Sequence, residues 1–170
     1  MYQVGELIIY GGEGVCRVEA IGPLEMSGAK KDVAYYTLAP LYRSGRIFAP
    51  VETSVYTRPV MTKEEAEDFI ACIPEIPVQV YENRNPRLLN EYYQTYLKSY
   101  DCKELVRLIR AIYVKGKRAA DRGRHLGQVD ERSMKRAEEL LHGELAVALG
   151  IPVDEVENYL IRALEGKEVD

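Results

Sequence analysis

The sequence predicts an α+β chain in two modules: a small antiparallel β-barrel, then an all-α helical domain. Three observations predict this. Residues 4–21 read as two β-type runs around a turn containing Gly11, Gly12 and Gly14, with Cys16, Val18 and Ala20 on one side and Arg17 and Glu19 on the other. That period of two marks a half-buried strand. About five short β-rich runs, punctuated by glycine and proline, fill the chain to residue 58 and then stop. Beyond them apolar residues recur at i, i+3, i+4 and i+7, the period of a helix with one buried face. The boundaries follow: residues 1–60 the barrel, 61–84 a helix and linker, 85–170 the helical domain.

The β elements come first. The glycines of the first turn supply the positive φ values of a tight reversal. Gly22-Pro23 ends the second run, and Ser27-Gly28 turns the chain after Leu24 and Met26. Residues 33–38 are rich in β-formers. Residues 46–51 form a further strand, which Pro50 confines to an edge or terminus. Residues 54–57 form the last.

The helices follow. Thr62-Lys63-Glu64-Glu65 is a capping box, and Ala66, Phe69, Ile70 and Ile73 follow at helical spacing. Pro74 and Pro77 stop this helix. Asn85-Pro86 reads as an N-cap with proline at the first helical position, and Leu89, Tyr92, Tyr93, Tyr96 and Leu97 share a face. Asp101 and Glu104 open a helix with the stripe Leu105, Leu108, Ile109, Ile112 and Tyr113. Lys103, Arg107, Arg110 and Lys117 fall opposite that stripe. Asp130 is the expected cap of a helix carrying Met134, Ala137, Leu141, Leu145 and Ala148. Gly150-Ile151-Pro152 separates a last helix with Val156, Leu160 and Leu164. The acidic tail, residues 165–170, is expected to fray.

Composition excludes several classes. The 170 residues contain no run of 18 apolar ones, so no membrane span is expected. The first residues lack the basic and apolar regions of a secretory signal. Three cysteines, Cys16, Cys72 and Cys102, lie far apart, which points to a reducing cytosol and no disulfide framework. Cys16 reads as a small buried hydrophobe. His125 and His142 lack partners at metal-ligand spacing and read as surface or packing residues. Gly11-Gly12-Glu13-Gly14 is no phosphate loop, because no Lys-Ser/Thr follows and no helix begins there. No nucleophile–base pair, metal set or cofactor loop is visible, so neither an enzyme nor a cofactor is expected.

Charge is uneven. The net charge is −4, yet residues 103–124 hold eight basic residues against two acidic ones. Lys117, Arg118, Arg122 and Arg124 are placed at or past the helix end, in a loop punctuated by Gly116, Gly123 and Gly127, with Arg132 just inside the next helix. This strip is either a solvated helix face or a phosphate contact, since a cation that displaces a condensed counterion strengthens nucleic-acid binding. Non-specific affinities of this kind run from roughly 10⁻⁴ to 10⁻⁶ M. Tethering by a second module raises the effective concentration to about the millimolar range. No helix-turn-helix or zinc-finger spacing is present to read bases.

Several stretches resemble the CarD/CdnL family of bacterial transcription regulators. They are Val4-Gly5-Glu6-Leu7-Ile8-Ile9-Tyr10 with its Gly-rich turn, Tyr35-Tyr36-Thr37-Leu38, Phe48-Ala49-Pro50-Val51, and the junction from Arg58 through Ala66. Ser99-Tyr100-Asp101, Lys135-Arg136-Ala137 and Glu144-Leu145-Ala146 continue the series. The first 60 residues also resemble the RNA-polymerase-interaction domain of transcription–repair coupling factors. The resemblance implies a cytoplasmic, nucleoid-associated, non-catalytic bacterial regulator. Its N-terminal barrel would be of the Tudor or SH3-like kind and would bind the polymerase β subunit, and its helical domain would touch promoter DNA at the upstream bubble edge, modulating open-complex stability. It would bind weakly to DNA alone and without sequence specificity.

By this resemblance the polymerase-binding positions are Leu24, Met26, Arg46 and Phe48. Leu24, Met26 and Phe48 make an apolar contact patch if exposed and are barrel core if they point inward, which is the expectation for Phe48. The DNA-binding positions are Tyr81, Arg84, Arg87, Lys117, Arg118, Arg122, Arg124 and Arg132. Several family members carry a tryptophan wedge in the C-terminal domain, and this chain has no tryptophan. Tyr81 is the position for a weaker wedge, stacking on an unpaired base, or it packs on the linker. The alternative function is a polymerase-bound adaptor whose helical domain meets another protein rather than DNA. The edge strand near residues 46–51 leaves room for a homodimer by strand exchange.

Overall fold

Alternating apolar residues build the first unit. In the computed structural model, which describes residues 1–165, β1 (Leu7–Tyr10), β2 (Val15–Gly22), β3 (Tyr35–Pro40), β4 (Ile47–Pro50) and β5 (Thr57–Pro59) form one antiparallel sheet in the order β4-β3-β2-β1-β5. The chain forms two compact units, Met1–Val60 and Met61–Asp170. Residues 166–170, most of the tail read as fraying, lie outside the described residues.

Gly11 (φ 46°) and Gly14 (φ 78°) reverse the chain between β1 and β2, around a 3-10 turn at Gly11–Glu13. One face of the sheet packs Ile8, Cys16, Val18, Tyr36, Leu38 and Ala49 together, with Ile21 and Ile47 half-buried beside them. Pro40, Pro50 and Pro59 each occupy the last residue of a strand, where a missing N–H costs the ladder least. β4 lies at an edge of the sheet, as Pro50 requires. β3 and β5 begin later than composition predicts. Asp32 takes a positive φ of 66° and the chain is still turning there, so pairing starts only where Tyr35 meets Gly22.

The β2 alternation breaks where the sequence predicts it should continue. Cys16 and Val18 are buried and Arg17 and Glu19 exposed, but Ala20 is exposed too. The register slips between Val18 and Ala20: Val18 pairs with Leu38, and Ala20 with the very next residue of β3, Thr37. One extra residue in a bulge shifts every following side chain to the other face. Ile21, not Ala20, therefore reaches the core.

In the second unit, α1 (Lys63–Cys72) begins at the predicted capping box: Thr62 Oγ1 accepts from the Glu65 amide at 3.1 Å and Glu65 Oε1 accepts from the Thr62 amide at 3.0 Å. α2 (Pro86–Leu97) is capped by Asn85, and α3 (Cys102–Asp121) by Asp101. α4 (Gln128–Leu149) and α5 (Val156–Leu164) complete the unit. Ala66, Phe69 and Ile70 of α1 join Leu89 and Tyr93 of α2, Leu105, Leu108 and Ile112 of α3, Ala137, Leu141 and Leu145 of α4 and Val156 of α5 in one core.

Asp130 does not cap α4. Gly127 holds that position without a side-chain bond, and Asp130 is buried one turn in. Its carboxylate accepts from Lys115 Nζ at 3.0 Å and from Tyr93 Oη at 2.5 Å, which is where its charge is spent. Glu144 is likewise buried. It accepts from the Met61 amide at 2.9 Å and from Cys102 Sγ at 3.2 Å, so one carboxylate ties the chain before α1 and the first residue of α3 to α4.

Candidate functional site

Two surfaces carry the predicted site residues, one in each unit. On the sheet, Phe48 lies on the outer face and is 41% exposed, contrary to its expected core position. The cause is strand alternation: Ile47 and Ala49 pair with Leu38 and Tyr36 on the core side, so Phe48, opposite Thr37, must face outward. Ala20, displaced outward by the bulge, pairs with the same Thr37. Arg46 is exposed, with its Nε 2.7 Å from Glu19 Oε2 and its Nη1 donating to the Gly45 carbonyl at 2.8 Å. In the β2–β3 connection Leu24 is half-buried and Met26 is 52% exposed. β4 is one of the two edge strands of the sheet, β5 the other.

The helical unit sorts its cations into two groups. Arg107 pairs with Glu104 at 3.1 Å, and Arg110 turns inward, donating to the Ile73 and Ile76 carbonyls at 2.9 and 2.7 Å. Lys115 is half-buried, paired with the buried Asp130. These charges are spent on the fold, and Arg110 does not lie on the solvent face that helical spacing predicts. Lys117, Arg118, Arg122 and Arg124 are exposed, as is Arg132 in the first turns of α4. Lys117 Nζ also sits 4.9 Å from the Tyr113 ring centroid, a cation–π distance.

The turn that displays these residues is built locally. α3 runs past Gly116 to Asp121, so Lys117 and Arg118 are helical rather than in the loop. Gly116 is instead a place of close approach: a Cβ there would lie 3.2 Å from Leu126 Cδ1. Leu126 tucks the returning loop against the helical core. α3 ends in a Schellman motif, with the Arg124 amide donating to Ala119 O at 2.8 Å and the Gly123 amide to Ala120 O at 3.0 Å. Gly123 takes the left-handed conformation this requires (φ 69°). Arg122 and Arg124 thus flank a fixed glycine.

The upstream positions behave differently. Tyr81 stacks on Tyr92 with ring centroids 3.8 Å apart and planes 18° from parallel, and its hydroxyl accepts from Asn83 Nδ2 at 3.1 Å. It packs against the helical core, and the Tyr92 ring occupies one of its faces. Tyr92 itself bonds Tyr96 at 2.8 Å, and burial foremost pushes its phenol up to about 12. Arg84 and Arg87 are exposed; Arg87 lies 3.8 Å from Glu91 one turn on.

The comparison with protein families bears on the first unit. Residues 2–60 match the family model described as CarD-like/TRCF RID domain. The N-terminal unit belongs to that family. The family is one of RNA-polymerase-interacting regulatory domains, not catalytic ones. No curated protein matches the chain at a significant level.

The match ends where the second unit begins, so Phe48, Arg46 and Met26 are residues of the RID domain and the cations of the α3–α4 turn are not. The RID core also settles Cys16: it is buried, and burial pushes its thiol up to about 11, the opposite of what a nucleophile needs. Among the described residues no group of three or more His, Cys, Asp or Glu is placed to hold a metal ion, and no helix is long and apolar enough to cross a membrane. Sequence reasoning missed the Lys115–Asp130–Tyr93 cluster and buried Glu144. Their only sequence signal is a charged residue within an apolar helical face, which a charge count does not register.

Proposed function

We propose that this protein is a non-catalytic bacterial transcription regulator that acts on RNA polymerase. Its RID unit, curled into a Tudor-like barrel, binds the polymerase β subunit through Leu24, Met26, Arg46 and Phe48. Lys117, Arg118, Arg122, Arg124 and Arg132 then lie against promoter phosphates near the upstream edge of the bubble, and the open complex changes lifetime as a result. Arg84 and Arg87 provide further phosphate contacts. Tyr81 serves the helical unit as packing rather than as a wedge, given its stack on Tyr92.

The observation that carries this reading is the family match over residues 2–60. It is supported by five exposed cations around the α3–α4 turn, Lys117, Arg118, Arg122, Arg124 and Arg132. The chain is acidic overall, so this cluster would hold DNA only feebly without a tether. The polymerase grip supplies the effective concentration. The protein acts in the cytoplasm, on the nucleoid, through the polymerase.

The test is open-complex lifetime on a ribosomal-type promoter, with and without the protein, across a salt series. The lifetime changes with protein present, and the change shrinks as salt rises. A protein that captures no polymerase β subunit, and leaves the lifetime unaltered at every salt concentration, overturns the reading.

A further inference from the structure

The helical unit carries a second surface, opposite in charge to the α3–α4 turn. A groove of about 770 Å³ is lined by the chain after α1 together with α3, α4 and α5. This lies within the roughly 300–1,000 Å³ of clefts that take an apolar ligand group. Its lining is largely aliphatic, including Ile73, Val106, Ile109, Leu160 and Leu164. Tyr113 and Ile161 line it while 53% and 60% exposed, so its apolar lining reaches the surface.

Its polar groups are Glu138 and His142 of α4, Glu157 of α5, Glu165 just beyond α5, and Arg110. Arg110 is bonded to two backbone carbonyls. Among the described residues none of Glu138, Glu157 and Glu165 has an ion-pair partner. Glu138 and Glu157 are also close enough that the charge of one raises the pKa of the other's carboxyl, after burial. His142 does not compensate, because burial lowers its pKa and keeps the ring neutral near pH 7. The groove therefore combines a largely aliphatic lining with more carboxylates than cations, which repels a phosphate backbone and attracts cations.

We infer that this groove docks a basic amphipathic helix of another protein. The helix sets its apolar side chains on the aliphatic lining and its lysines or arginines against Glu138 and Glu157. Helix-in-groove recognition uses apolar anchors at i, i+3, i+4 and i+7, and flanking cations on the partner relieve the unpaired carboxylates. The surface is additional to the DNA contact proposed above and does not depend on it.

The test is fluorescence anisotropy of the full chain with a labelled amphipathic peptide of about 16 residues, leucines on one face and lysines beside them. The control peptide carries glutamates in place of the lysines. The lysine peptide binds at least about tenfold more tightly, and Glu138→Gln with Glu157→Gln removes about that preference. Ile161→Asp abolishes binding while helical circular dichroism is retained. Charge reversal at Arg118, Arg122 and Arg124, which lie off the groove lining, leaves peptide binding intact. No saturable binding, equal affinity for both peptides, or loss of binding on that charge reversal overturns the inference. So does self-association of the chain that Ile161→Asp removes, since the occupant is then a second copy.

Discussion

Lys115 and Asp130 brace the basic turn from inside: Nζ meets Oδ1 at 3.0 Å, with the two side chains only 15% and 6% exposed. Lys115 lies in the last two turns of α3 and Asp130 in the first turn of α4. The same carboxylate oxygen accepts from Tyr93 of α2, whose phenol is pushed far up, by burial first and then by this bond. Three helices thus converge on one buried oxygen, directly beneath the segment that displays Lys117 to Arg132.

Removing one partner of such a pair leaves the other charge buried and unpaired, at a cost of about 3–5 kcal/mol. Lys115→Met is therefore expected to destabilise the helical unit by about that much in urea denaturation followed by circular dichroism. Adding Asp130→Leu removes the orphaned charge and should restore most of the loss, because apolar replacement of a whole buried pair is often nearly neutral. A single variant as stable as the double one would show that the pair is solvated.

Tyr81 yields a second prediction. Stacked aromatic pairs are worth about 0.5–1.5 kcal/mol beyond their burial. Tyr81→Ala should lower helical-unit stability by about 2 kcal/mol. Tyr81→Phe keeps the stack and loses only the Asn83 bond, about 1 kcal/mol or less. If both variants are equally destabilised, the ring contributes nothing through Tyr92. If Tyr81→Phe alone shortens open-complex lifetime, the hydroxyl has a role outside the fold.

Features that depend on neighbouring residues were legible in the sequence. The Thr62–Glu65 box, the Asn85-Pro86 start and the Asp101 cap all form, because each is a side chain meeting a backbone amide two or three residues away. Features set by distant partners were not. The bulge at Glu19 depends on how β2 meets β3, and it moved Ala20 outward. Phe48 faces out because of its register with β3. Charge was the least legible property. Arg110 and Lys115 count in a basic run like any others, yet one is consumed by carbonyls and the other by a carboxylate contributed from α4.

The outward position of Phe48 separates fold from function. Phe48→Glu replaces an exposed side chain on an edge strand, so stability should change by no more than about 0.5 kcal/mol. Under the proposed function the same variant loses most of its capture of the polymerase β subunit, because a charge now sits in an apolar contact. Thermal unfolding and a pull-down with the full chain measure the two effects. A large drop in stability would return Phe48 to the core, and undiminished capture would remove it from the interface.

Charge reversal tests the turn. In a folded protein, Lys117→Glu with Arg118→Glu and Arg122→Glu should leave β-subunit capture intact and abolish most of the effect on open-complex lifetime. The salt slope reports the number of contacts, since each phosphate neutralised contributes about −0.9 to the log–log slope. Loss of three cations should therefore flatten the slope by about 2.7. An unchanged slope would make the strip an ordinary solvated face.

The pH dependence of the helical unit follows from Glu138 and His142, which sit one turn apart on α4 and share Glu157 of α5 as a neighbour, with Arg110 of α3 also lining the groove. Burial is the first cause of both shifts, and it disfavours the charged form of each group. His142 lies below its ordinary 6.5, so its neutral form is the one the fold prefers. Its contribution is fully present above pH 6.5 and is lost as pH falls toward the lowered folded value. Glu138 lies above its ordinary 4.5 and acts oppositely: its contribution is present below 4.5 and is lost as pH rises through the raised folded value. Wild-type stability, read as urea midpoint, should fall as pH drops from about 7.5 toward 6, the interval in which the contribution of a histidine with a lowered pKa begins to be lost. His142→Gln should flatten that interval. Glu138→Gln should instead raise the unfolding free energy at pH 7.5, by about 0.5 kcal/mol, the scale of interactions among partly exposed charges. It should leave the histidine slope in place. A His142→Gln chain that still loses stability between 7.5 and 6 would assign the titration to another group.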